Sequence, residues 1–159
     1  MKTIHLETEL PTSADRVWDA MQYPGSFLFV TRGLFGFPAL VGQTSRFRQA
    51  DCGSGWITIF HVIPLWRHTM QLVELNDTTR TMRSHEHGGT IKTWNHTLHA
   101  EPLGPDRCRY SDTVEIEAGA FTGLTVFTGR LIYRYRQRRW HKLVRKHLMA
   151  DGPRYARRP

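Results

Sequence analysis

The chain has 159 residues, the length of one ordinary domain, and its 40% hydrophobic and 23% charged content is that of a soluble globular protein, which sets aside disorder and fibrous repeats. The net charge of +8 is unevenly placed: Arg130 to Pro159 carries 11 Lys and Arg against one acid, Asp151, giving +10, while residues 1–129 hold 11 basic and 13 acidic side chains, giving −2. A nucleic-acid binder that is basic throughout is therefore excluded, and only a basic C-terminal helix or tail is left to attract an anion.

In chain order, Thr3 to Leu10 alternates, with Ile4 and Leu6 on one side and Thr3, Glu7 and Glu9 on the other, which predicts a first strand. Met1 to Leu10 lacks the apolar run of a signal peptide, and no stretch of the chain approaches the roughly 18 apolar residues of a membrane span, so a cytoplasmic location is expected. Thr12 with Asp15 three residues on resembles a capping box, and Val17, Trp18 and Met21 give the helix that follows an apolar side. Tyr23, Pro24 and Gly25 end it, and Phe27 to Pro38 reads as a second short helix with a covering loop.

Strands are then expected at about Thr44–Ala50, Trp56–Ile63, Trp66–Leu75, Thr79–His87, Ile91–Glu101 and Arg107–Ala118. Their breaks are Gly53 and Gly55, Pro64, Asn76 and Asp77, Gly88 and Gly89, and Gly104 to Asp106. Connections this short imply an antiparallel meander. Cys52 and Cys108 are too few for a disulfide framework, lack the paired spacing of a zinc site, and read as reduced thiols.

Ala120 to about Met149 is one proline-free helical stretch, roughly 30 residues and up to about 45 Å long. Phe121, Leu124, Leu131, Ile132 and Tyr135 share an arc that Arg139, Lys142 and Lys146 take over, while Tyr133, Trp140 and Val144 mark another direction. The two patterns predict a bend near Tyr135 to Arg139 or docking onto a curved surface. Residues 1–150 read as a single domain and 151–159 as a basic, disordered tail.

This order predicts an α+β fold, a curved antiparallel sheet of about seven strands around a long C-terminal helix, with two short helices after the first strand and a cavity between sheet and helix. Glu9, Pro11, the Ala14 to Trp18 helix start and the Gly89 to Gly119 segment also resemble a known family. In that segment Trp94, His96, Asp112 and Val114 follow a recurrent pattern of Trp, His two residues on, then Asp and Val in the next strand, and Glu86 stands where relatives carry Gln or Glu. The pattern resembles the helix-grip superfamily of START domains, pollen-allergen-like proteins and bacterial polyketide cyclase/dehydrase relatives, the SRPBCC proteins. The resemblance implies fold first, and the matching residues are no catalytic signature.

The Gly104 to Asp106 turn predicts a register in which Leu98 lies opposite Tyr110, His96 opposite Asp112 and Trp94 opposite Val114. Cys108 and Ile116 share that face, while Arg109, Glu115 and Glu117 take the other, so the first is the concave side. A His and an Asp opposed at about 5 Å between Cβ atoms are either a base and its orienter at a cavity wall or a buried pair that satisfies itself and fixes register; the second is the commoner case. At the Gly88–Gly89 turn, a two-residue loop puts Arg83 and His85 on the cavity face, whereas one extra residue puts Met82, Ser84 and Glu86 there, the register Met82 favours.

His85 and His87, two apart, have no third and fourth ligand at a telling spacing and read as strand-end histidines, as do His141 and His147 on the basic helix. No metal or cofactor is expected, and no phosphate loop or nucleophile elbow is present.

The expected function is binding of an apolar small molecule, a lipid, aromatic or polyketide-like compound, in a cavity lined by Trp94, Leu98, Tyr110 and Val114 of the sheet and by Phe127, Leu131 and Tyr135 of the helix. Glu86, His96 and Asp112 would orient it. Two alternatives stand beside this: an aromatase/cyclase-like enzyme using the same three residues for proton transfer, and docking of the basic Arg130 to Arg158 helix and tail on RNA, an acidic protein or an anionic membrane.

Overall fold

Side-chain alternation in the first strand, β1 (Lys2–Leu10), places Ile4 and Leu10 inside and Thr3, His5, Glu7 and Glu9 in solvent. The computed structural model describes residues 1–148; the expected tail at 151–159 lies outside the described residues. After β1 come helices α1 (Ala14–Met21) and α2 (Pro24–Thr31), then strands β2 (Phe35–Gly36), β3 (Cys52–Ile59), β4 (Ile63–Asn76), β5 (Thr81–Gly88), β6 (Ile91–Gly104) and β7 (Arg107–Glu117). The long helix α3 (Thr122–Leu143) closes the fold and loosens into a π turn at Val144–Leu148. The seven strands form one antiparallel sheet in the order β1-β7-β6-β5-β4-β3-β2, so the α+β helix-grip architecture expected from the sequence is the one found.

Several local expectations are corrected. The cap of α1 is Ser13, whose extended backbone lets its hydroxyl accept from the Arg16 amide at 3.4 Å; Thr12 lies one residue too early, and Asp15 pairs with Arg80 at 2.7 Å instead. Thr44–Ala50 is not a strand. Its backbone is held by Phe47 N donating to Gln22 O and Ala50 N to Leu72 O, and Arg46 pairs with Asp19 and stacks over Tyr23. The seventh strand is Phe35–Gly36, paired with Ile59 and Thr58; at Gly36 an added Cβ would lie 2.5 Å from Thr58 Oγ1, so only glycine lets these strands meet. Pro64 does not break the sheet but sits inside β4 beside a bulge, and the turn falls at Phe60 and His61, both in the left-handed region.

Two further bulges set the cavity wall. Across Pro105 and Asp106, Gly104 pairs with Arg107, and Leu103 is bulged out between Pro102 and Gly104. His96 therefore opposes Val114, Leu98 opposes Asp112 and Trp94 opposes Ile116, two residues from the expected register. A slip of two preserves parity, so the concave face keeps the residues assigned to it. Between β5 and β6, Gly88 pairs with Ile91 and Glu86 with Trp94, so Lys92 and Thr93 of β6 oppose the single His87, and this extra residue turns Met82, Ser84 and Glu86 inward.

The long helix overturns its apolar arc. Phe121, Leu124, Phe127 and Leu131 are 50–63% exposed, while Gly129, Tyr133, Arg136, Gln137, Trp140 and Leu143 face the sheet. Gly129 explains the choice: an added Cβ there would lie 2.8 Å from Ile4 Cδ1, so the helix touches the sheet along its smallest residue. The α-helix is unbroken through Tyr135–Arg139 and lies against the curved sheet, the second of the two expected outcomes, and its helix type changes only at Val144.

Candidate functional site

Inward-facing residues of β3 to β6, together with α2 and the segment after it, enclose a cavity that α3 closes. One lobe, about 530 Å³, lies under the first half of the meander and is lined by Met21, Val30, Met70, Leu72, Met82 and Leu98, among others. The other, about 340 Å³, lies toward the start of α3, between Trp66, Ile91, Trp94, Phe121, Leu124 and Ile132. Both lobes are lined by Phe27, Phe37, Ile57, His68, Glu86, His96 and Arg136, so an apolar space is crossed by a single polar seam. The fold thus encloses a cavity capable of holding an apolar ligand.

The seam has two hydrogen-bonded groups. Glu86 is bonded through one carboxylate oxygen to His68 Nε2 at 2.8 Å, and its other oxygen accepts from the Ser84 hydroxyl at 2.5 Å. Burial pulls the Glu86 carboxyl up, but the His68 hydrogen bond, the charges of His96 and His68 and the Ser84 hydroxyl outweigh it and hold the group below the ordinary carboxylate range. In the second group, Asp112 Oδ1 is bonded to His96 Nε2 and accepts from the Tyr110 hydroxyl, both at 2.9 Å. Burial and the Asp112 charge push the Tyr110 hydroxyl far up, so it stays a donor.

Arg136 stands over the seam, its guanidinium carbon 4.9 Å from the Tyr133 ring centre and 5.7 Å from that of Phe27. Burial alone would lower its pKa; the facing Asp112, Tyr133, Tyr110 and Glu86 outweigh that, so the side chain stays charged. Tyr133 accepts from Trp94 Nε1 at 3.1 Å, which fixes the Trp94 ring in the second lobe. Burial pushes the Tyr133 hydroxyl well up as well.

Of the sequence-predicted residues, Glu86, Trp94, His96 and Leu98 line the cavity. Tyr110, Asp112 and Val114 do not: they are fully buried one strand farther on, where Trp140 covers the Tyr110 ring at 4.9 Å. Phe127 and Leu131 point outward because Gly129 takes the contact with the sheet. Tyr135 faces α2, its hydroxyl donating to Arg32 O at 2.7 Å, and lies in an outer groove with Arg139, Lys142, Arg145 and Lys146.

Sequence reasoning missed His68, Ser84 as a Glu86 partner, and Arg136. His68 had a usable signal, since it shares the inward parity of β4 with Met70 and Leu72. Arg136 had none, because it stands in a run of arginines that reads as a solvated face. His85 and His87 lie exposed on the sheet's other side, and among the described residues no group of three or more His, Cys, Asp or Glu is placed to hold a metal ion. His141, 2.9 Å from Thr8 Oγ1, has its pKa lowered by partial burial and by Arg145.

Among the described residues no helix is long and apolar enough to cross a membrane. No curated protein matches the chain by sequence. Solved structures share its fold. Norcoclaurine synthase from Thalictrum flavum, in complex with dopamine and hydroxybenzaldehyde, is 19% identical with a TM-score of 0.66 over 95% of this chain and 88% of that one. A START superfamily protein from Mycobacterium smegmatis is 9% identical, with a TM-score of 0.65 over 91% and 97%. The Zhui aromatase/cyclase from a Streptomyces species is also 9% identical, with a TM-score of 0.64 over 96% and 98%. At these identities the likeness is one of fold alone. Residues 39–146, more than half of the chain, match the family model described as Domain of unknown function (DUF8410), and the chain belongs to that family.

Proposed function

We propose that the protein binds an apolar small molecule, of lipid, aromatic or polyketide-like type, in the two-lobed cavity, and that binding rather than turnover is its role. The observation that carries this reading is the cavity itself, about 530 Å³ and 340 Å³ of mostly apolar space around one polar seam. A ligand burying about 200 Å² of apolar surface there would gain about 5 kcal/mol at 25 cal/mol per Å², before ordering costs. The seam would set its orientation. A similarly folded protein, norcoclaurine synthase, holds two aromatic compounds. The test is native mass spectrometry of protein isolated from its own host. A bound apolar species lost on unfolding supports the reading, and a bare protein that no apolar compound stabilises in a thermal melt contradicts it.

What favours an aromatase/cyclase-like enzyme instead is the His68–Glu86 pair on the cavity wall, two titratable groups that a ligand could reach. Turnover that disappears in His68→Gln with the melt unchanged would establish it.

The outer face of α3 favours a further reading of the basic helix. Phe127 and Leu131, exposed and outside the cavity, run into exposed Arg134, Arg138, Lys142 and Arg145, an apolar stretch continued by a cationic one. We infer that this stripe docks on an anionic lipid surface, apolar side chains entering the interface and basic ones meeting headgroups. Co-sedimentation with vesicles containing phosphatidylserine, absent with neutral vesicles and lost in Phe127→Ser/Leu131→Ser, is the expected result; equal binding to both vesicle types or to neither contradicts it.

A further inference from the structure

Arg136 is a charge enclosed in an apolar cavity with its hydrogen-bonding capacity unspent. It is 6% exposed and lines both lobes. Among the described residues it forms neither an ion pair nor a hydrogen bond, and its Nε is buried without a partner. Aromatic rings of Phe27 and Tyr133 attend the guanidinium, contacts that leave the N–H groups at its edge unused.

The neighbouring acids already have donors, although Asp112 Oδ2 is buried without a partner, as Arg136 Nε is. Glu86 takes bonds from His68 and Ser84, and Asp112 from His96 and Tyr110, so each has donors of its own before Arg136 is counted. An unpaired buried guanidinium is costly, and a planar oxyanion, matched by its fork of donors, is the group that most relieves it.

We propose that the ligand of this cavity is an apolar monocarboxylic acid whose carboxylate is bound by Arg136 at the junction of the two lobes. The inference rests on the reading of the cavity as a binding site and adds the chemical class of what it binds. A carboxylate suits the site better than a phosphate. Arg136 is the one guanidinium there, the His68 and His96 rings are bonded to Glu86 and Asp112, and those two acids face Arg136 from the sheet, so a dianion would meet more repulsion than a monoanion. The size fits as well: the lobes on either side of Arg136 can take an aliphatic or aromatic body of drug-like dimensions.

The test uses the full chain and a matched pair of probes, naphthaleneacetic acid and the neutral naphthaleneethanol, titrated by calorimetry against wild type, Arg136→Gln and Arg136→Lys. The expected result is that wild type binds the acid about tenfold or more tighter than the alcohol, the size of one charge-assisted hydrogen bond. Arg136→Gln should erase that preference, and Arg136→Lys, which keeps the charge without the fork, should restore part of it. Equal affinities for the two probes in wild type, or a preference that survives Arg136→Gln, would overturn the inference and leave the cavity reading standing. Binding of neither probe would overturn the cavity reading and the inference with it. The wild-type ratio decides the question even if Arg136→Gln does not fold.

Discussion

Replacing Asp112 by alanine should cost the protein much of its stability. The carboxylate is completely buried and accepts 2.9 Å hydrogen bonds from His96 and Tyr110, both buried, so its removal strands two donors. Each stranded donor costs about 1–3 kcal/mol, and breaking a buried polar pair from one side costs about 3–5 kcal/mol, so about 4 kcal/mol is expected. Against a total of about 5–15 kcal/mol this is severe: at about 2–4 °C per kcal/mol, the melting temperature should fall by about 10 °C. Urea denaturation followed by circular dichroism gives the energy directly, as a lower midpoint at unchanged slope. Asp112→Asn, which keeps one acceptor, should lose about half as much. The triple change His96→Phe/Tyr110→Phe/Asp112→Leu, which removes the donors with the acceptor, should recover most of the loss. A loss under about 1 kcal/mol in Asp112→Ala would refute the view that Asp112 anchors the cavity wall rather than touching the ligand.

Other outcomes follow from the same geometry. Gly129→Val should destabilise by about 1–3 kcal/mol in denaturant melts through overpacking against Ile4 and Ile116, whereas Leu124→Ser on the exposed face should stay within about 0.5 kcal/mol of wild type. The Glu86 carboxyl, held below the ordinary carboxylate range when folded, contributes stability that is present above that range and lost as pH falls through the depressed folded value. Wild type should therefore lose stability on acidification more steeply than Glu86→Gln, and parallel curves would contradict the assignment. Cys52 is exposed, while burial pushes the Cys108 thiol up to about 11. A disulfide exchange reagent at pH 8 should thus titrate one thiol at once and the second only on unfolding.

The strands were legible wherever alternation and turn residues agreed, as in β1 and β5 to β7, because period-two burial leaves a direct trace in residue type. Register was legible only to parity: the bulges at Leu103 and at Lys92–Thr93 add residues that no turn motif announces, and His96 met Asp112 along the diagonal instead of straight across. The helix misled for a physical reason. Its buried stripe follows the second apolar direction, Tyr133, Trp140 and Val144, with Gly129, Arg136 and Gln137 set into it, while the larger arc through Leu131 stays exposed, so the denser of the two apolar patterns is not the one in contact. The polar seam shows both cases: Glu86 and His96 stood out as polar residues on an apolar face, but Arg136 was hidden among other arginines.

The central claim is that the cavity, and not the surface, holds an apolar ligand, and Ile57, buried and lining both lobes, is the place to test it. Ile57→Trp would fill the junction of the lobes. Thermal melts with and without naphthaleneethanol should show the compound raising the transition of wild type and leaving Ile57→Trp unmoved, with matching circular dichroism spectra for the two proteins. An equal rise in both would put the ligand outside the cavity and contradict the account, as would no rise in either.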